Sequence, residues 1–253
     1  MIDIHSHILP GMDDGAKTIE DSVAMIRVAA ADGITDIVAS PHSNVEYVFD
    51  PGKVREAVAQ VREATGNPVR IHTGCDFHLQ YDSIQDAIQN PTKYTINGKS
   101  YLLVEFSELV ISRTSEELFY RLLSAGMIPI VTHPERNMLL QQRLDQIKNW
   151  VNNGVLMQVT AQSFLGRFGR RAKRFADELV NNGLVHFVAS DAHDAEYRPP
   201  RMKEAREYVA GRWGAALADR LCVTNPRAAI EGLDIELEEM DAAPPRKWYQ
   251  FWR

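Results

Sequence analysis

One pattern recurs about seven times along this chain: a short apolar run, a turn, a stretch with helical spacing, and a glycine before the next run. Strands that alternate with helices in this way pair in parallel, through right-handed helical crossovers. The 253 residues are a typical length for one α/β barrel, so the length does not require two domains.

The elements read as follows. Ile2 and Ile4 alternate with polar partners, as a short strand does. Thr18 with Asp21 starts a helix whose stripe is Ile19, Val23, Ile26 and Ala30, and Gly33 ends it. Residues 34–40 read as the second strand. Pro51 opens a helix to about Ala64, and residues 69–77 read as the third strand. Residues 94–101 carry Asn97-Gly98, the signature of a hairpin with a type I′ turn, and residues 101–106 form its outgoing strand. Thr114 with Glu117 starts a helix that runs to Gly126. Strands over 128–132, 155–160 and 184–189 follow, with helices over about 139–153 and 170–182 between them, the second of these basic. Helices near 200–211 and from Asn225-Pro226 close the pattern.

Composition narrows the function classes. The formal net charge is −6, and the only basic block apart from that helix is a short tail. That balance weighs against a nucleic-acid partner, because phosphate backbones are bound by clustered Lys and Arg. No apolar run is long enough to span a bilayer and no secretory signal is present, so the chain is not expected to be transmembrane. Two cysteines make no disulfide framework, and a reducing cytoplasm is the expected compartment.

The chemistry lies in His5-Ser6-His7. Residues two apart on a strand face one side, and neutral imidazole is the commonest metal-binding side chain. Two histidines near a terminus also occur on ordinary surfaces, so the rest of the chain decides. Asp14 lies in the loop after the first strand. His42 follows the second, Asp76 ends the third, Glu105 the fourth and His133 the fifth, and Asp191 and His193 follow the last. Each has an ordinary alternative, such as a turn at Asp14-Gly15 or a helix cap at Asp191. Together they place five of the eight histidines at C-terminal strand ends, where active sites of α/β barrels form. Mixed His and carboxylate ligands suit Zn²⁺, Mn²⁺ or Fe²⁺. Nine ligands are too many for one ion and suit two or three, which can generate hydroxide near neutral pH and clamp a phosphoryl oxygen. His72 and His186 fall within strands and read as structural. Cysteine-phosphatase chemistry is excluded, because Tyr81 and Ala228 stand where its arginine would follow Cys75 and Cys222.

His5-Ser6-His7, Pro41-His42, Glu105, Thr132-His133 and Ser190-Asp191-Ala192-His193 resemble the polymerase-and-histidinol-phosphatase superfamily. More narrowly, residues 12–15, 133–137, 158–163 and 191–193 followed by Arg198-Pro199-Pro200 resemble its capsule-associated, metal-dependent tyrosine phosphatases. The resemblance runs from residue 1 to about Glu231. It implies a distorted (β/α)7 barrel as a single domain over residues 1–232, with three divalent ions, most often manganese, with iron or zinc as alternatives. It places the first ion on His5, His7, Asp76 and Asp191. The second shares Asp76 and adds Glu105 and His133, and the third takes Asp14, His42 and His193. Arg136 and Arg198 grip phosphate, as planar guanidiniums do well, and His193 or an arginine assists the leaving group. Asp76 departs from the family pattern, which has the longer Glu at this bridging position.

The expected activity is hydrolysis of phosphotyrosine on a protein, such as a bacterial tyrosine kinase in exopolysaccharide or capsule regulation. The alternatives are another phosphomonoesterase of the superfamily, such as a histidinol phosphatase, or a binding module with a degenerate site. Residues 233–253 read as a separate tail, acidic and then basic-aromatic, suited to packing on the body or docking to a partner or membrane surface. The sequence leaves self-association open.

Overall fold

The structure is a computed structural model, and it describes residues 1–79 and 81–235. Of the tail expected over 233–253, residues 236–253 lie outside the described residues. Among the described residues nine strands carry the fold: β1 (Ile2–Ser6), β2 (Asp36–Ala39), β3 (His42–Ser43), β4 (Arg70–Thr73), β5 (Asp76–His78), β6 (Tyr101–Glu105), β7 (Ile128–Thr132), β8 (Leu156–Thr160) and β9 (Phe187–Ala189). All pair in parallel, in two sheets of order β1-β2-β4 and β3-β5-β6-β7-β8-β9. The helices are α1 (Ile19–Asp32), α2 (Pro51–Thr65), α3 (Tyr81–Gln89), α4 (Ser115–Ser124), α5 (Leu144–Asn152), α6 (Ala161–Phe164), α7 (Gly169–Asn181), α8 (Lys203–Trp213), α9 (Ala215–Asp219) and α10 (Asn225–Glu231).

The third strand departs from its expected span. Residues 69–77 form β4 and β5, which pair in different sheets. The second strand likewise continues past Pro41 into β3. These two bends carry the chain from one sheet to the other. At the second, a Cβ on Gly74 would stand 2.7 Å from Val38 Cγ1, so only glycine fits. The other ends of the sheets meet where β1 reaches β9: Asp191 N–H donates to His5 O (2.9 Å) and His7 N–H to Ala192 O (2.8 Å). Counting each bent pair once, the seven strand positions of the distorted barrel are accounted for.

Two further departures concern local chemistry. Asn97 and Gly98 both take positive φ, as a type I′ turn requires, but they sit in a single 3₁₀ turn (Ile96–Gly98) with no strand before it. The Asn97 side chain explains this, because it donates to Ile230 O and accepts from Thr73 N–H, serving α10 and β4 instead of a hairpin. Thr114 precedes α4 as expected but makes no side-chain cap; its hydroxyl pairs with Ser112. Helix α3 was not foreseen. At α1 the expected capping box is complete, with Thr18 accepting from Asp21 N–H and Asp21 from Thr18 N–H.

Among the described residues two apolar cores form. The larger lies between strands and helices and includes Ile37, Val104, Val131, Met157, Leu179 and Val188. The smaller gathers Ile2, Ile4, Val38, Leu103, Ile130, Leu156 and Phe187 with Ala229 and Ile230 of α10. Along β6 and β8 the two-residue period continues from this small core to the polar end: Leu103 is followed by Glu105, and Leu156 by Gln158 and Thr160. His72 and His186 are structural, as expected. His72 bridges Asp36 and Asn97 (both 3.1 Å), and His186 Nδ1 accepts from Met157 N–H (3.1 Å).

Candidate metal centre

All nine expected ligands converge on one rim; Asp76, expected to end a strand, is instead the first residue of β5, as His42 is of β3. His5 Nε2 and His7 Nε2 point at each other, 3.2 Å apart. His5 Nε2 is 3.5 Å from Asp76 Oδ2 and from Asp191 Oδ1, and His7 Nε2 is 3.5 Å from the same Asp191 oxygen. His42 Nδ1 lies 3.1 Å from Asp76 Oδ2 and 3.5 Å from Glu105 Oε2. His42 Nε2 and His193 Nε2 each stand 3.4 Å from Asp14 Oδ1, and His133 Nε2 is 3.6 Å from Glu105 Oε1. Three sets have ligand atoms mutually within 4.8 Å: His5, His7, Asp76; His7, Asp14, His42, His193; and His42, Asp76, Glu105.

These residues fit metal ions. Ligand atoms about 3–3.4 Å apart are the polyhedron edges expected for metal bonds of about 2.1 Å. Two imidazole nitrogens facing each other at 3.2 Å need a proton or a cation between them. His42 Nδ1 and Asp76 Oδ2 are buried and face each other at 3.1 Å outside hydrogen-bond geometry, with no other hydrogen-bond partner, as two atoms sharing an ion would.

The far nitrogens are fixed. His5 Nδ1 meets Gln158 Oε1 at 2.8 Å, His7 Nδ1 meets Asp13 Oδ2 at 2.6 Å, and His193 Nδ1 meets Asp191 O at 3.0 Å. A histidine that donates from Nδ1 presents Nε2 as the ligand. Asp13 also accepts from the N–H groups of Gly15 and His42, tying the loop after β1 to β3. A Cβ on Gly15 would lie 2.1 Å from His7 O, so glycine is obligatory there. Asp3 accepts from Ser190 N–H, from the Ser190 hydroxyl and from His5 N–H, holding the turn that carries Asp191. Asp191 and His133 both take positive φ, 51° and 36°, a strained conformation for these residues that places both side chains in the cluster.

Charge is tightly matched. Burial pushes His7 down, but the Asp13 carboxylate outweighs it and the pKa stands at about 9; Asp13 in turn falls to about 2. Burial and the neighbouring Asp76 charge push Glu105 up to about 7. Burial opposes ionisation of Asp76, yet His5 and His42 hold it well below the usual range. Burial lowers His133 and His193, which favours their neutral, ligating forms.

Both expected arginines reach the site, and both engage Asp191. Arg136 Nη1 and Arg198 Nη2 donate to Asp191 Oδ2, the latter at 2.7 Å, while Oδ1 faces His5 and His7. Arg136 follows the buried Glu135, which accepts from Thr160 N–H and the Ser163 hydroxyl. The Phe168 ring lies 4.4 Å from Arg136 Cζ and 5.9 Å from Arg198 Cζ. A cleft of about 450 Å³, lined by Asp14, Lys17, His193 and Tyr197 among others, opens beside the cluster. A cleft of about 590 Å³ between α1 and α8 holds none of the candidate ligands.

Sequence reasoning gave no role to Asp3, Asp13, Gln158 or Phe168. Gln158 carried a usable signal, a polar residue in a buried strand at the period of Leu156. Asp13 sat beside a candidate ligand. Phe168 carried no signal.

Comparison with known proteins agrees with this geometry. The family model for "Capsular polysaccharide synthesis, CpsB/CapC" matches residues 1–231. The tyrosine-protein phosphatase YwqE of Bacillus subtilis (strain 168) is 37% identical over 221 residues, 86% of this chain and 87% of that protein. The putative tyrosine-protein phosphatase CapC of Staphylococcus aureus is 36% identical over 208 residues, 81% of each chain. A crystal structure from work on B. subtilis YwqE and Streptococcus pneumoniae CpsB, described as unique metal-dependent tyrosine phosphatases, superposes with a TM-score of 0.87 at 35% identity, covering 93% of this chain and 96% of that one. The chain belongs to the CpsB/CapC capsular polysaccharide synthesis family.

Proposed function

We propose that this chain is a metal-dependent protein-tyrosine phosphatase. The observation that carries the reading is Asp191. One of its oxygens faces the histidine cluster and the other receives two arginines, so metal ligands and anion-binding groups share one carboxylate. We assign three divalent ions: the mixed His and carboxylate set suits manganese, iron or zinc, and the family resemblance favours manganese. His5, His7, Asp76 and Asp191 hold the first, Asp76, Glu105 and His133 the second, and Asp14, His42 and His193 the third. His42 also leans toward Asp76 and Glu105, which supports Asp76 as the shared ligand. When bound, the ions supply Lewis-acid charge and an activated water near neutral pH.

The chain's own residues do the rest. Arg136 and Arg198 hold the phosphoryl oxygens, positioned by Asp191 and the Phe168 ring, and neutralise the charge that grows there. The phenolate leaving group, with a pKa of about 10, departs without a strong general acid, so His193 serves first as a ligand. Asp13 and Gln158 keep His7 and His5 in the ligating tautomer. The physiological substrate is a bacterial tyrosine kinase in capsule or exopolysaccharide regulation, met in the cytoplasm. No helix among the described residues is long and apolar enough to cross a membrane. The phosphatase unit is assigned to residues 1–232.

Steady-state kinetics on three substrates test this reading. Phosphotyrosine peptides are expected to be cleaved far better than phosphoserine peptides or histidinol phosphate. Arg198→Ala keeps its metals and loses about 10²-fold in kcat/KM on phosphotyrosine. A preference for histidinol phosphate would overturn the tyrosine assignment, and an unchanged Arg198→Ala would remove that residue from the phosphate clamp.

A further inference from the structure

Helix α7 presents a charge that the site described above does not use. Arg167 stands just before it, and Arg170, Arg171, Lys173 and Arg174 fill its first turns. The four arginines are exposed, and none of them forms an ion pair among the described residues. On a chain of formal net charge −6, this is a concentrated and uncompensated cationic patch. The core does not ask for it, since α7 buries Ala172, Phe175, Ala176 and Leu179 on its other face. Helix stability does not ask for it either. Cations are disfavoured near a helix N-terminus, and no acidic residue stands in the first turn to offset them.

Position supplies the reason for the patch. Phe168, directly before α7, packs its ring against both phosphate-binding arginines. The arginines of α7 therefore begin two residues after a ring that touches both Arg136 and Arg198. Arg170 to Arg174 advance about 6 Å along the helix, which matches about two residues of an extended peptide.

We propose that the arginines of α7 dock an acidic segment of the substrate polypeptide, flanking the phosphotyrosine that enters the metal centre. The proposal rests on the phosphatase reading above and adds a rule of substrate selection to it. Carboxylates near the phosphotyrosine pair with Arg170, Arg171 and Arg174. Exposed pairs of this kind raise encounter rate and apparent affinity without touching the chemical step, and they weaken with salt.

The test uses two phosphotyrosine peptides of equal length. One has glutamates at the second to fifth positions on each side of the phosphotyrosine, and the other has glutamines there. Wild type and the triple variant Arg170→Gln/Arg171→Gln/Arg174→Gln are assayed on both peptides and on p-nitrophenyl phosphate. In wild type at low salt, KM for the glutamate peptide is expected to be roughly tenfold lower, as three exposed pairs would give together. The variant loses that advantage while kcat and p-nitrophenyl phosphate turnover stay unchanged. Equal KM for both peptides in wild type, or an advantage that survives in the variant, overturns the docking surface alone. If the variant instead loses binding to anionic vesicles or to an oligonucleotide with its peptide kinetics intact, the surface belongs to that partner and the proposal falls. Turnover of p-nitrophenyl phosphate with neither peptide cleaved overturns the phosphotyrosine reading and this proposal with it.

Discussion

Asp76 is the residue on which the site turns. It is fully enclosed, with one oxygen shared between His5 and His42 and the other near the Thr132 hydroxyl. Asp76→Ala removes the carboxylate that His5 and His42 share, and metal content and turnover should fall together. Asp76→Glu supplies the longer bridge that the family resemblance implies, and it should retain metal and activity at some cost in stability, about 1–3 kcal/mol for the added methylene in a packed site. Elemental analysis alongside aryl phosphate kinetics separates the two variants; normal metal content in Asp76→Ala would show that another carboxylate bridges the ions. The nine candidate ligands were readable from sequence because they lie at strand ends or in the loops just beyond, where an apolar run gives way to polar residues. Asp13 and Gln158 were harder to assign, since a residue that positions a ligand is defined by what it touches. The Asp191 contacts were hidden for the same reason, because Arg136 and Arg198 lie 55 and 7 residues away from it.

At the scale of elements, most helices and strands fell where periodicity and capping put them. The exceptions share a cause. One strand became β4 and β5 because the ring of strands bends at Gly74, and close approach to Val38 is a tertiary constraint with no local periodicity. The hairpin failed because Asn97 found partners in α10 and β4. The same elements yield a pH prediction. His186 joins β9 to β8 by donating its backbone N–H to Met157 O and accepting Met157 N–H at Nδ1. Burial, helped by the Arg220 charge, lowers its pKa to about 4. The folded protein therefore resists protonation that the unfolded chain accepts at its ordinary value of 6.5. Stability from this group is complete above pH 6.5 and is lost as pH falls toward 4, by at most about 1.4 kcal/mol per pH unit. Thermal melts of wild type and His186→Asn across that window check it. The variant's Tm should fall less steeply, and parallel slopes would show that other groups govern the acid limb.

At the scale of the whole molecule, parallel strands from every part of the chain deliver their ends to one rim, and five histidines, His5, His7, His42, His133 and His193, meet there although they are distant in sequence. No candidate ligand lies beyond Arg198, so the tail should be dispensable for chemistry. Deleting residues 246–253 should leave turnover of a small aryl phosphate nearly unchanged; a large loss in a folded variant would show that the tail completes the site. The central claim is that turnover depends on more than one metal ion held by these nine residues. The direct measurement is to strip the protein with a chelator and titrate Mn²⁺ back while following phosphotyrosine-peptide hydrolysis and bound metal together. The account predicts no turnover in the stripped protein and activity that rises only as occupancy passes one ion per chain. Full activity with less than one ion bound per chain would contradict it.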